Sequence, residues 1–294
     1  MNRVSGLQLW QWRRDAKQST RTTDISSDEV DWLLQEFAGL DRLSLRLDSF
    51  RSLPQIELTI PFEQLQQLWQ RRLEEHVPIQ YLAGATPWRD FELQVSPAVL
   101  IPRPETELLI DLAIAQVDQT PMLQTEHWAD LGTGSGAIAI ALSKTFPNAI
   151  VHAVDQSESA LAVARSNADR LGASVYFYHG SWFEPLTHLK GNLAAMVSNP
   201  PYIPTQIVKE LQPEVRLHEP RSALDGGADG LECIRHLVKT APDYLQPNGL
   251  WMIEMMLGQA SAVVDLLEAQ GSYTQIKIHS DLAGIERFAV ARRK

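Results

Sequence analysis

The chain has 294 residues, 44% of them hydrophobic and 21% charged, with a formal net charge of -10 and a pI near 5.3. That length suits two domains, and the sign of the charge opposes a protein that grips a nucleic-acid backbone through its overall field. One cysteine, Cys233, excludes an internal disulfide framework and a cysteine-rich zinc site. No apolar window is long enough to span a bilayer, and residues 1–12 carry no signal-peptide pattern, so no membrane association and a cytoplasmic location are expected.

Residues 1–77 read as a small helical domain. Val4, Leu7, Leu9 and Trp10 open a first helix. Ser26 or Ser27 caps a second, whose Val30, Leu33, Leu34 and Phe37 keep helical spacing up to Gly39. Leu43, Leu45 and Leu47 mark a third short element, and Phe62, Leu65, Leu68, Trp69 and Leu73 a fourth, started by Pro61. No chemical cluster falls in this region, which reads as a packing or substrate-docking module. In 78–102, Tyr81, Trp88, Phe91, Leu93, Val95, Val99 and Ile101 alternate with polar or turn residues, the pattern of a hairpin linker. Pro104 then starts a helix over 105–115, whose first turn also suits the carboxylates Glu105 and Glu107.

A domain over 103–294 follows. Strands are predicted at 128–131, 150–154, 175–178, 193–198, 250–255, 274–278 and 288–291, and helices at 136–145, 157–171, 230–244 and 258–270. The alternation defines an α/β fold, a mostly parallel sheet covered on both faces, with ligands at the carboxyl ends of its strands.

Two loops fall at such ends. Asp130-Leu131-Gly132-Thr133-Gly134-Ser135-Gly136 leaves the first strand and opens a helix, where glycines allow close approach to a ligand and the helix start is expected to offer unpaired N–H groups. Asp155 ends the second strand, where a carboxylate can receive ribose hydroxyls. A nicotinamide dinucleotide and S-adenosylmethionine both satisfy this pattern; the tight glycine spacing behind an acid favours the second. Trp182 stands at the same rim, either flanking adenine or packed in the core. The second loop, Asn199-Pro200-Pro201-Tyr202, follows the apolar run 193–198. Its prolines lack N–H donors, so the Asn199 side-chain oxygen and the Pro200 carbonyl form an acceptor pair for a planar NH2 group, with the Tyr202 ring beside it. The histidines are scattered without ligand spacing, and no metal is expected.

Together, 101–107 (Ile-Pro-Arg-Pro-Glu-Thr-Glu), the 130–136 loop, Ser181-Trp182-Phe183, Ser198 to Ile203, Glu219-Pro220 and Asp229-Gly230-Leu231 resemble the bacterial peptide chain release factor N5-glutamine methyltransferases over essentially the whole chain. The resemblance implies a seven-stranded Rossmann-like S-adenosylmethionine-dependent methyltransferase domain, with a small N-terminal helical domain joined by a β-hairpin. It implies methylation of the glutamine N5 in the Gly-Gly-Gln motif of class 1 release factors, with S-adenosylhomocysteine as product; a monomer is expected. It places cofactor binding at Gly132, Thr133, Gly134, Ser135, Gly136, Asp155, Trp182 and Asn199. Substrate binding and catalysis fall to Asn199, Pro200, Pro201 and Tyr202, and Arg103 and Glu105 form an active-site wall. Asn-Pro-Pro-Tyr alone is shared with enzymes that methylate the amino groups of nucleic-acid bases (adenine N6 or guanine N2). That alternative calls for a basic insertion, whereas the segment between Tyr202 and Gly230 carries no basic excess. Relatives usually carry glycine two residues after the glutamate of the fifth strand, where this chain has Met256.

Overall fold

The computed structural model describes residues 2–294. They divide into two compact units: one comprises residues up to Gly84 together with Pro213–His218, the other Ala85–Gln212 with Glu219–Lys294.

In the first unit, β1 (Arg3–Val4) precedes α1 (Gly6–Ser19), α2 (Asp28–Ala38), α3 (Arg42–Leu47), β2 (Ile56–Glu57), α4 (Phe62–Glu75) and α5 (Ile79–Ala83). Val4 thus lies in a strand, paired with Ile56, and not in the first helix. Ser5 imposes the boundary, its hydroxyl accepting from Gln8 N as an N-cap. Gly6 is dictated by space, because a Cβ there would stand 1.9 Å from Phe50 O. The helical spacing buries Leu9, Val30, Leu33, Leu34, Leu45, Leu65 and Trp69 in one core, while Leu43 and Leu47 remain exposed. The hairpin is shorter than its alternation suggests: 79–83 form α5, started after Pro78 and ended by Gly84 in the left-handed conformation.

The second unit opens with that hairpin, β3 (Ala85–Trp88) and β4 (Phe91–Gln94), turning at Arg89 with φ +50°. Residues 104–107 form a 3-10 turn ahead of α6 (Leu108–Gln119), so the helix starts later than Pro104 predicts. There follow β5 (His127–Leu131), α7 (Ala137–Thr145), β6 (Ile150–Asp155), α8 (Glu158–Leu171), β7 (Val175–His179) and β8 (Leu193–Ser198). After β8 come α9 (Thr205–Val208), α10 (Pro213–His218, grouped with the first unit), α11 (Glu232–Thr240), β9 (Leu245–Glu254), α12 (Ala260–Gln270), β10 (Tyr273–Ser280) and β11 (Glu286–Arg293).

The seven strands order as β10-β11-β9-β8-β5-β6-β7, parallel throughout except for β11, which runs antiparallel to both its neighbours. Strand periodicity of two sends Trp128, Val151, Ala153, Val197 and Met252 to one core, and Ala129, Leu131, Val154, Met196 and Ile253 to the other. Both faces are dry, which explains the continuous apolar runs of the central strands. The order of winding reverses between the parallel strands β5 and β8, and the loops leaving their carboxyl ends therefore open a crevice. Ser198 Oγ donates to Leu131 O at 2.6 Å and pins the two strand ends together at that point.

Candidate active site

The crevice holds a cavity of about 300 Å³ whose lining includes Gly132, Gly134, Asp155, Trp182, Asn199 and Pro201. Ala98, Val99, Leu100, Val154 and Ala160 supply an apolar wall, and Cys233 also reaches it. Burial raises the Cys233 thiol, which keeps it protonated and poorly nucleophilic.

The glycine loop is held differently from the sequence expectation of free N–H groups. Gly132 N and Thr133 N both donate to Val154 O, at 2.9 and 3.0 Å, Gly136 N donates to Thr133 O, and Gly134 N donates to the Asp155 carboxylate at 2.9 Å. The loop folds down onto the end of β6 and satisfies these groups internally. Asp155 binds the loop with one oxygen and caps the next segment with the other, accepting from Ser157 N at 2.9 Å. Gly132, Gly134 and Gly136 take φ of +78°, +56° and +84°, which only glycine adopts without strain. Thr133, Ser135 and Gly136 do not line the cavity. Thr133 Oγ1 donates to Asp130 Oδ2 at 2.6 Å, the Ser135 carbonyl accepts from Asn167 Nδ2, and Gly136 packs against Ala164. Beneath the loop Asp130 is fully buried with Oδ1 lacking a hydrogen-bond partner, and burial lifts its pKa to about 7 against the bonds from Thr133 and Ala139 N.

Trp182 holds a left-handed backbone, φ +48°, unusual for a bulky residue. Its ring lies close enough to Gly132 that a Cβ there would sit 3.6 Å away. Stored strain of this kind is characteristic of ligand walls.

On the other side of the crevice Asn199 Nδ2 donates to Thr106 Oγ1 at 3.2 Å, and Thr106 Oγ1 donates to Glu254 Oε2 at 2.7 Å. Tyr202 OH donates to the second oxygen, Glu254 Oε1, at 2.9 Å. Glu254 is 1% exposed at the end of β9. Burial pushes its carboxyl above the ordinary range, against the two hydroxyl donors and the Arg287 charge, and Glu105 adds to the rise. Burial, followed by the Glu254 charge, lifts the Tyr202 phenol and keeps it a donor. The loop after Pro201 is braced on all sides. Gln259 Nε2 donates to Tyr202 O and Gly230 O, Ile203 N to Leu224 O, and a Cβ on Gly226 would strike Pro201 O and Gly230 O at 2.7 Å. Met256 needs no glycine, since it is not among the positive-φ residues, and its N–H donates to Gln259 Oε1 at 2.9 Å.

Arg103 pairs with buried Glu219 at 2.6 Å, and its carbonyl accepts from Trp88 Nε1, so it braces the approach to the 3-10 turn. Glu105 is exposed, and its charge is felt at Glu254. Sequence reasoning missed Thr106 and Glu254 as parts of the site. The available signal was a lone carboxylate ending the apolar run 250–253.

The residues present fit S-adenosylmethionine: a carboxylate at the β6 end for a diol, an apolar wall with an indole for a purine, and positive-φ glycines lining the cavity. Among the described residues no His, Cys, Asp and Glu cluster could hold a metal. The fold and site define an S-adenosylmethionine-dependent methyltransferase with a Rossmann-like sheet. In agreement, the methyltransferase small domain family matches residues 106–215, and the PrmC N-terminal domain family matches 11–84. The 16S rRNA N2 methyltransferase (RsmC) of T. thermophilus, solved with AdoMet and guanosine, shares the fold at TM-score 0.52 and 18% identity, over 71% of this chain and 50% of its own.

The chain is 51% identical to the release factor glutamine methyltransferase of Synechocystis sp. over 98% of its length and 97% of the relative's. It is likewise 51% identical to that of Thermosynechococcus vestitus, over 98% and 99%. The chain belongs to the release factor glutamine methyltransferase family.

Proposed function

We propose that the protein methylates the side-chain amide nitrogen, N5, of the glutamine in the Gly-Gly-Gln motif of class 1 release factors. The observation that carries this reading is Asn199, which lines the same cavity as Gly132, Gly134, Asp155 and Trp182 while its Nδ2 is engaged by Thr106, a residue outside that lining. The carboxamide oxygen is then the branch left to accept from a substrate NH2 group.

S-adenosylmethionine supplies, when bound, a methyl group on a sulfonium centre that is already strongly electrophilic. The Asp155 carboxylate, Trp182 and the 132–136 loop would hold it. An amide nitrogen is a weak nucleophile because its lone pair is delocalised into the carbonyl, so the chain's residues act by placement. Asn199 Oδ1 and the Pro200 carbonyl accept the two amide hydrogens and favour the positive charge that grows on nitrogen. Tyr202, fixed by Glu254, flanks the amide plane, and Pro201 keeps the corner stiff. Proton loss can follow methyl transfer, so no ground-state base is required. Arg103, held by Glu219, supports the wall without contributing chemistry. The domain expected at residues 1–77 would dock the release factor, with 78–102 linking it to the methyltransferase domain 103–294.

Incubation with S-adenosylmethionine carrying a tritiated methyl group tests the reading, with release factor, a release factor whose motif glutamine is replaced by glutamate, and duplex DNA in parallel. Label in the first alone is expected. Label in DNA alone would contradict it and favour a nucleic-acid amino methyltransferase.

A further inference from the structure

We propose that Thr106 and Glu254 are positioning residues that decide which way round the Asn199 carboxamide sits, and so present its oxygen to the substrate. The inference deepens the reading above and rests on Asn199 being the substrate's acceptor.

A carboxamide has two branches of nearly equal shape and opposite hydrogen-bonding sense, and apolar packing cannot tell them apart. A directional neighbour can. Glu254 accepts through both its oxygens, which receive Tyr202 OH at 2.9 Å and Thr106 Oγ1 at 2.7 Å. Thr106 has one hydroxyl proton, which that bond consumes, so it offers only lone pairs to its other neighbour. That neighbour is Asn199, 3.2 Å away, which must therefore turn Nδ2 toward Thr106 and Oδ1 to the other side. The inverted carboxamide would set two acceptors face to face in a buried place, with Thr106 5% exposed and Glu254 1%. The three residues come from the turn before α6, the loop after β8 and the end of β9, separated by 93 and 148 positions in sequence. Arg287 and Glu105 are the charged groups whose fields reach Glu254 besides its Tyr202 partner. The relay explains a carboxylate buried at the end of an apolar strand.

Thr106→Val keeps the side-chain shape and removes the hydroxyl. Its kcat toward release factor is expected to fall about 100-fold, the scale of a misplaced reacting group, with cofactor affinity by calorimetry unchanged. Thr106→Ser retains the hydroxyl and is expected to keep parental kcat. A packing role alone would reverse this order, since valine fills the site better than serine. A second measurement uses the unaltered protein labelled with 15N-asparagine, so it does not depend on a variant folding. The Asn199 side-chain NH2, assigned by its loss in Asn199→Asp, is expected to show a nuclear Overhauser contact to the Thr106 methyl. Parental kcat in folded Thr106→Val, loss of cofactor affinity in step with turnover, or no contact from that NH2 to Thr106 would each overturn the proposal. The underlying reading fails separately, through parental turnover by Asn199→Ala.

Discussion

The two sides of the crevice are built by different means. The glycine wall is assembled within one β-α-β stretch: its N–H groups bond to Val154 and Asp155 at the end of the neighbouring strand, and its shape lies in three positive-φ glycines. The Asn199 corner takes its shape from remote side chains. Thr106 comes from the turn before α6, Glu254 and Gln259 from the β9–α12 connection, and they meet the corner only when the sheet is complete. A wall of the first kind tolerates little change in its own backbone, whereas one of the second kind is sensitive to residues that touch no ligand. Cofactor binding and turnover should therefore separate under mutation.

The largest effect is expected from Asn199→Ala, which removes the acceptor of the growing charge. Its kcat should drop about 1000-fold, the scale of losing one oriented partner of a transition-state charge, with cofactor Kd within a few-fold of the parent. A lost cofactor site in calorimetry would show instead that the two sides are one structure. Gly226→Ala attacks the brace behind the corner, where a Cβ meets two carbonyl oxygens at 2.7 Å. Overpacking of this kind should cost about 3 kcal/mol in urea denaturation and depress kcat more than cofactor affinity.

Asp155→Ala addresses the glycine wall. It takes away the acceptor of Gly134 N and Ser157 N as well as the expected diol partner. A loss of about 2 kcal/mol, or roughly 30-fold, in cofactor Kd is expected, with kcat at saturating cofactor little changed. Beneath that wall, Asp130 has a pKa raised from 3.8 to about 7 by burial, so the folded protein binds more protons than the unfolded chain between those limits. Its contribution to stability is present at acid pH and is lost as pH rises through this window. The advantage of Asp130→Asn over the parent, read from urea midpoints, should grow by on the order of 1 kcal/mol from pH 6 to pH 7. A gap that stays constant or shrinks would show that Asp130 ionises freely in the fold.

The same contrast governs what could be read without coordinates. Strand β8 matches its apolar run at both ends, and β6 extends one residue further than predicted, because burial on both faces keeps both strands apolar apart from His152 and the polar residues Asp155 and Ser198 that end them. The cavity positions Gly132, Gly134, Asp155 and Asn199 were legible because each sits at the end of such a run. Alternation misled at Tyr81: a short helix between Pro78 and Gly84 places few residues on a face, too few for its period to register. The loop N–H groups were misjudged because Val154 O, which takes two of them, is a backbone acceptor with no sequence signature. Thr106 and Glu254 stayed hidden for the same physical reason that makes them interesting. Hydrogen bonds across 93 and 148 positions leave no local pattern.

The central claim is that the Asn199 corner and the glycine wall face each other across a single methyl-transfer path. A crystal structure with S-adenosylhomocysteine and a glutamine-containing peptide from a release factor measures it most directly. The account predicts the glutamine NH2 within hydrogen-bonding reach of Asn199 Oδ1 and the Pro200 carbonyl, about 3 Å, with its nitrogen lying in line with the cofactor sulfur. A sulfur turned away from Asn199, or a glutamine side chain seated elsewhere in the cavity, would contradict it.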